Sequence, residues 1–377
     1  MKPRRVWAVA RKELIQILRD PRSLGMAIAI PMLLLLLFGY ALTLDVDRVP
    51  LLIWDQSESP ASRDLISRFA GSRYFAIRGF VQHYATVERA IDDGQAMMAL
   101  VLPTDFGNRV PAGRRASVQV VVDGSDANTA TIALGYAEAV VHGYSQEIGL
   151  HVLTGREGRV VTPPLEVRPR VWFNADMESR NYIVPGLIAV IMMVIAALLT
   201  SLTIAREWER GTMEQLISTP VKGPELILGK LAPYFVLGIG DVLLAVLLGE
   251  YVFEVPLRGN VGLLFGMAAV FLAGALALGM LVSIVARSQL LAIQTAMVLT
   301  FLPAFLLSGF MYSISNMPTP IQVVTYLVPA RYFVALLKGI YLKGVGLEVL
   351  AGQALLLVTF ACLVMFVANL RFKKRLE

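Results

Sequence analysis

Few residues in this chain have the types and spacings that chemistry requires. His83, His142 and His151 share no metal-ligand spacing, and a single cysteine, Cys362, permits neither a cysteine-based zinc pattern nor an intrachain disulfide. The run from Asp123 to Asp126 resembles a calcium loop only superficially. It lacks the alternate acidic positions and the distal glutamate of an EF-hand, and reads better as a turn between strand and helix. Ser57, Ser59 and Ser62 belong to no nucleophile-elbow motif. The run Gly223 to Lys230 fails as a P-loop, with the wrong spacing and Leu231 where a Ser or Thr would hold magnesium. Asp241 remains, an acid deep in an apolar run and therefore a candidate proton relay. Gly238 and Gly240 beside it point instead to close packing, in which a neighbouring helix or water satisfies the carboxylate. No Lys, Arg or His partner is expected on the same span. No catalytic residue and no metal site is assigned.

The composition explains this scarcity. Hydrophobic residues make up 56% of the chain and charged residues 16%, against roughly 25% charged in soluble domains. That is the balance of a polytopic membrane protein. The net charge of +6 is unevenly spread: between Asp45 and Asn181 acids slightly outnumber bases, so the excess lies in the remainder. Basic edges beside apolar spans fit a membrane protein, and the basic patch of a nucleic-acid binder is missing.

The densest polar punctuation falls in Arg206–Pro220, between two apolar runs. Gly211 lets the chain turn. Thr212 reads as an N-cap with Gln215 completing a capping box, and Glu214 falls in the first turn, where its charge complements the helix dipole. Pro220 disfavours helix at Thr219 and ends the segment. Met213, Leu216 and Ile217 share one face of this short helix, which reads equally as a small apolar peg for another protein's socket or as an ordinary capped loop.

The elements that position this segment follow in chain order. Residues 1–22 form a basic amphipathic helix on the membrane surface. Val6, Val9, Leu14, Ile17 and Leu18 lie on one side, Arg11, Lys12 and Arg19 around them, and Trp7 at headgroup level. Residues 23–44 are the first span, with seven Lys/Arg before it and Asp45 and Asp47 after it, which places the N-terminus inside. Residues 45–181 form an α/β domain outside the bilayer. Strands are expected at 49–54, 74–80, 97–102, 117–122 and 165–173, and helices at 61–70, 86–93, 105–110 and 128–149. A flexible loop is expected at 156–168. Further spans are read at 182–205, 226–251, 261–285, 290–311 and 347–370, with a cytoplasmic segment at 206–225. Gly262 and Gly266, followed by Ala269, Ala273 and Ala277, form a small-residue face for close helix packing, either within the subunit or across a dimer. Residues 312–346 are divided by Pro318, Pro320 and Pro329 into pieces too short to span, and read as a re-entrant or surface-lying pair. A basic tail, 371–377, fixes the C-terminus inside. The fold class is thus a polytopic α-helical membrane protein of about six transmembrane helices, with an α/β extracytoplasmic domain between the first two.

The wording of several stretches resembles the type-2 ABC exporter permeases, the membrane subunits of ATP-driven export systems. Glu207, Glu209, Gly211, Thr212, Glu214, Leu216, Thr219 and Pro220 match that family's coupling segment position by position. The stretch from Leu307 to Gly344, with Ser308, Gly309, Met317, Pro318, Pro329, Arg331 and Tyr332, resembles its external re-entrant hairpin. Weaker matches lie at Arg11–Arg22 and Val171–Gly186. The resemblance implies that residues 206–220 seat in a cleft of a separate nucleotide-binding ATPase subunit. ATP and Mg2+ would then bind in that partner and no cofactor in this chain. It also implies a second permease subunit, identical or related, with a hydrophobic or amphipathic substrate passing between the two. An inner-membrane location, contact with membrane lipids, and a periplasmic adaptor at the external domain belong to the same expectation. Two other functions are weighed against it. An ion-coupled secondary transporter would need several membrane-buried charges and repeated halves. A membrane sensor would use the α/β domain for a ligand, but no cytoplasmic signalling domain is seen.

Overall fold

A chain rich in apolar residues divides here into two compact units, Leu44–Arg170 and the remainder. The computed structural model describes residues 1–42, 48–157, 173–174 and 178–372. The chain begins with helix α1 (Pro3–Arg19) and α2 (Pro21–Ala41), Pro21 standing at the start of the second helix, where its missing N–H costs nothing.

The inserted unit alternates β1 (Val49–Asp55), α3 (Pro60–Gly71), β2 (Phe75–Phe80), α4 (Tyr84–Asp92), β3 (Met98–Leu102), α5 (Phe106–Arg109), β4 (Gln119–Val122) and α6 (Ala127–Glu157). The sheet order is β2-β1-β3-β4, with β1 parallel to both neighbours and β4 antiparallel to β3. Period-two alternation sorts the central strands. Leu51 and Ile53 of β1 with Met98 and Leu100 of β3 face Leu65 and Phe69 of α3 and Ala133 of α6. Leu52 and Ala99 face the other way, onto Val87 of α4. The serines near β1 serve structure. Ser59 and Ser62 cap α3 reciprocally at 3.1 and 3.0 Å, Ser62 donates to Asp55 at 2.6 Å, and the Gly107 N–H donates to Ser57 at 3.0 Å. Asp123 accepts from the Ser125 N–H at 2.9 Å, the bond of a tight turn leading into α6. Of the expected fifth strand only Phe173 is described, in a bend. The expected loop is helix at 156–157 and otherwise lies outside the described residues.

The second unit continues with α7 (Ser179–Glu209), α8 (Thr212–Ser218), α9 (Gly223–Tyr251), α10 (Val261–Ala286), α11 (Gln289–Leu306), α12 (Thr319–Thr325), α13 (Pro329–Lys338) with a π turn at Gly339–Lys343, and α14 (Leu347–Arg371). Five of these, α7, α9, α10, α11 and α14, are long and apolar enough to cross a membrane. The expected first span is represented by a shorter apolar stretch, Ala27–Ala41. The segment Thr319–Thr325 and Pro329–Lys343 would supply a further crossing only as one span, and it bends by 85°.

Helix α7 is the centre, with α2, α9, α10, α11 and α13 packed around it. Its closest neighbour is reached through Gly279 of α10, which faces the Ala197 carbonyl and Thr200 with no room for a side chain. Thr200 donates to the Leu276 carbonyl at 2.9 Å, and Ser283 accepts from the Ile204 and Ala205 N–H groups at 2.9 Å. Within the subunit the close approach therefore falls at Gly279, and at Gly274 against α14, while Gly262 and Gly266 are exposed. No atom stands near Gly266, whose side of α10 is left open.

Candidate functional site

Helix α7 runs about a turn beyond the expected span and carries Glu207 and Glu209 out with it. The chain then reverses at Gly211, which adopts φ +70° and stands as the N-cap of α8. Thr212 is therefore the first helical residue, and the capping box expected between Thr212 and Gln215 does not form. The Thr212 hydroxyl donates to the Glu207 carboxylate instead. A bond to an ionised acceptor is stronger than one to a neutral group, so the carboxylate one turn back wins. Thr219 donates to the Leu216 carbonyl at 2.7 Å, closing the helix before Pro220.

The faces of α8 are also reversed from the simplest expectation. Met213 is 1% exposed and points into its own subunit, and Leu216 is half-buried against the transmembrane core. The Ile217 side chain lies outside the described residues. What α8 presents outward is Gly211, Glu214, Gln215 and Ser218, a polar stripe at helical spacing. Seven residues joined to two long helices gain more from burying Met213 at once than from holding it exposed for a partner.

Behind α8 lies a cluster of buried charge. Lys230 of α9, 1% exposed, meets Glu13 of α1 at 2.5 Å and Glu207 at 3.2 Å, and Lys12 meets Glu207 at 3.1 Å. Close by, Glu225 accepts from the Lys2 N–H at 2.7 Å and pairs with Arg5 at 3.7 Å, while Arg5 also donates to the Pro220 carbonyl at 2.5 Å. Gly229 brings α9 against Val9 and the Val6 carbonyl. Helix α1 is thus bolted to α9, to α7 through Glu207, and to the turn after α8 through Pro220, with Ala10, Glu13 and Ile17 inward and Trp7, Leu14 and Leu18 exposed. Arg11 and Arg19 are exposed as well. Of the acids expected to reach a partner, Glu207 is buried in this cluster. Glu209 is exposed, but holds the Gln289 N–H at 2.7 Å at the start of α11. Glu214 is exposed.

At the other end of α7, the segment after α11 turns at Gly309 (φ +78°), where the Phe310 N–H donates to Ser308 at 3.2 Å. Pro318 is the N-cap of α12, Gln322 donates to the Met317 carbonyl at 2.8 Å, and Pro329 opens α13. The 85° bend between these helices is braced by Arg331, which lies 3.8 Å from the Tyr326 ring centroid and donates to Thr325. Tyr332 donates to the Tyr326 carbonyl at 2.6 Å. Lys338 sits 3.5 Å from the centroid of Tyr182 and donates to the Gly309 carbonyl at 2.9 Å. The cations lacking acidic neighbours in sequence are therefore held by ring faces and carbonyls. Asp241 is buried, 2% exposed, with Gly238 beside it against Leu272 of α10, while Gly240 faces open space. Among the described residues Asp241 makes no hydrogen bond or ion pair.

A family model described as ABC-2 family transporter protein matches residues 21–370, nearly the whole chain. The chain belongs to the ABC-2 transporter family. It is similar to the probable multidrug ABC transporter permease YbhS of Escherichia coli (strain K12), at 38% identity over 99% of this chain and 98% of that one. It is also similar to the probable multidrug permease YbhR of the same strain, at 29% over 92% of each. The inner membrane transport permease YhhJ matches at 26% over 98% of this chain and 97% of its own. This ABC-2 protein is accordingly a permease, the membrane subunit of an ABC transporter.

Three buried charges of this cluster are not legible in the sequence. Lys230 reads in the sequence as a P-loop remnant, although a lysine within an apolar helix demands a partner, and Asp241 is not the only buried ionisable residue of α9. Glu13, embedded among bases, gave no sign of facing inward. Glu225, three residues after Lys222, had a capping position as its one signal: it accepts from the Lys222 N–H at 3.0 Å.

Proposed function

We propose that this permease works as one of a pair, driven by a separate ATPase chain that binds ATP and Mg2+, and exports a hydrophobic or amphipathic compound between the two subunits. The reading of the substrate leans on the relatives whose names include multidrug transport. Both termini and α8 lie on the cytoplasmic side, the inserted α/β unit lies outside, and α12–α13 enter the outer leaflet as a re-entrant hairpin. The basic flanks of α1 and α2 and the acidic residues that follow α2 support this orientation. A periplasmic adaptor at the α/β unit and an inner-membrane location complete the proposal.

The single observation that carries it is the mounting of α8. A seven-residue helix is marginal by itself, yet this one is held by Gly211, by the buried Met213 and by the Glu207–Lys230–Glu13 cluster. A rigid helix at the junction of α7 and α9 passes displacement to both. Its outer stripe fits a partner groove with basic groups opposite Glu214.

Glu214→Arg combined with Ser218→Arg tests this, because both sites are exposed and spare the chain's own core. Membrane insertion and yield are expected to match the parent. Co-purification of the ATPase and substrate-stimulated ATP hydrolysis are expected to fall at least tenfold, since like-charge juxtaposition in a docked contact costs several kcal/mol. Retention of both activities at parental levels would remove α8 from the coupling role.

A further inference from the structure

A small cavity of about 90 Å³ lies where α1, α2, α7 and α9 come together, and its walls are of two kinds. Ala27 of α2, Leu199 and Leu202 of α7 and Leu237 of α9 give it an apolar side. Gln16 of α1, Asp20 at the corner before α2, Arg206 of α7 and Tyr234 of α9 give it a polar one. The space admits several waters or one phosphate group. It is far below the roughly 300–1,000 Å³ that enclose a whole small molecule.

The polar side is built largely from groups without partners. Among the described residues the side chains of Gln16, Arg206 and Tyr234 make no hydrogen bond and no ion pair, although all three are half-buried. Each of them can donate, through an amide, a guanidinium and a hydroxyl. Arg206 lies within electrostatic reach of the Tyr234 hydroxyl, as do Glu13 and Asp20. Those two acids are already engaged, Glu13 with Lys230 at 2.5 Å and Asp20 in an interaction of its own. Polar groups withdrawn from water are nearly always satisfied. Donors converging on a cavity around an unpaired arginine therefore call for an anionic acceptor, and the guanidinium fork matches a phosphate best.

Depth selects what carries that phosphate. Arg206 falls in the last turn of α7, and Asp20 just ahead of the apolar stretch Ala27–Ala41, so the polar side sits where the hydrocarbon-compatible runs end. Helix α1 exposes Trp7 and Leu18 as well as Arg11 and Arg19, the mixture of a helix lying among headgroups. Ala27, Leu199 and Leu237 belong to the apolar runs themselves.

We propose that this cavity binds the phosphate of a membrane phospholipid in the α8-side leaflet, held by Arg206, Tyr234 and Gln16, with the apolar part of the lipid on the side of Ala27, Leu199 and Leu237. A lipid so placed fastens the surface helix α1 to three membrane helices. It needs nothing from an ATPase on α8, so it stands or fails apart from the coupling proposal.

Phenylglyoxal, which modifies unprotected guanidinium groups, reads the site at Arg206. The full chain, stripped of lipid in detergent, is treated alone and then with phosphatidylglycerol, with phosphatidylethanolamine, with a diacylglycerol of the same chains but no phosphate, and with inorganic phosphate. Modified arginines are located by mass spectrometry. Both phospholipids are expected to slow modification of Arg206 at least tenfold, and the diacylglycerol and free phosphate to leave it unchanged. Arg11 and Arg19 of α1 and Arg114 and Arg115 of the inserted unit, all exposed, serve as internal references. Tyr234→Phe is expected to raise the phospholipid concentration for half-protection about fivefold, the weight of one hydrogen bond. Modification of Arg206 that ignores phospholipid means that the cavity holds water only. Protection by inorganic phosphate alone assigns it to a soluble anion, and equal protection of Arg11 and Arg19 means general headgroup contact. Each of these results, or an unchanged half-protection in Tyr234→Phe, overturns the site.

Discussion

Tyr182 and Lys338 share one carbonyl. The tyrosine hydroxyl donates to the Gly309 oxygen at 3.3 Å and the lysine ammonium to the same oxygen at 2.9 Å, while the ammonium lies 3.5 Å from the centroid of the tyrosine ring. The hydroxyl reaches the Phe310 carbonyl as well, at 2.7 Å. The start of α7, the turn after α11 and the end of α13 are thereby tied at one point.

Two substitutions separate the parts of that knot. Tyr182→Phe keeps the ring face and removes the donor, and a net loss of about 1 kcal/mol is expected. Tyr182→Leu removes the ring too and leaves a half-buried ammonium with one partner fewer, adding about 0.5–2 kcal/mol. Thermal unfolding of the detergent-solubilised permease should rank parent, Tyr182→Phe and Tyr182→Leu in that order.

A second prediction concerns Lys230. Lys230→Met strands Glu13 and Glu207 without their shared cation, and breaking a buried pair in this way costs about 3–5 kcal/mol. The triple change Lys230→Met, Glu13→Gln and Glu207→Gln strands no charge and should recover most of the loss. A triple variant as unstable as the single one would mean that the cluster acts through packing rather than charge.

The inserted unit should fold alone. Residues 44–170 form their own compact unit with a four-stranded sheet covered on both faces. Expressed separately, they are expected to give a monomeric soluble protein with a single cooperative thermal transition and mixed helix and strand signal. Aggregation without such a transition would show that the sheet depends on the membrane helices.

Sidedness is testable with cysteines introduced after Cys362→Ser. Ser125→Cys is expected to react with a membrane-impermeant maleimide in intact cells, and Thr212→Cys only after lysis. The opposite pattern would invert the proposed orientation.

Much of the architecture is visible in the sequence because its causes are local. The strands of the insert declare themselves as short apolar runs between turns, and the break between α7 and α8 by a glycine in a charged run. The side to which α8 turns its apolar residues was hidden. Periodicity shows that Met213 and Leu216 share a face, but only the surrounding helices decide that the face is inward. Lys230 was hidden for a related reason, since its partners lie 217 and 23 positions away. The re-entrant pair falls between these cases. Its prolines mark the breaks, yet the ring faces that hold Arg331 and Lys338 come from Tyr326 nearby and Tyr182 far off.

The buried cluster also constrains descent. Replacing Lys230 alone strands Glu13 and Glu207 in the interior, whereas replacing either acid leaves the lysine paired with the other, so a lineage drifting away from this chain should lose an acid before the lysine. Permeases that lack the lysine should lack at least one of the acids as well. Intermediates that keep both acids without it should be rare, or rescued by a new cation on α1.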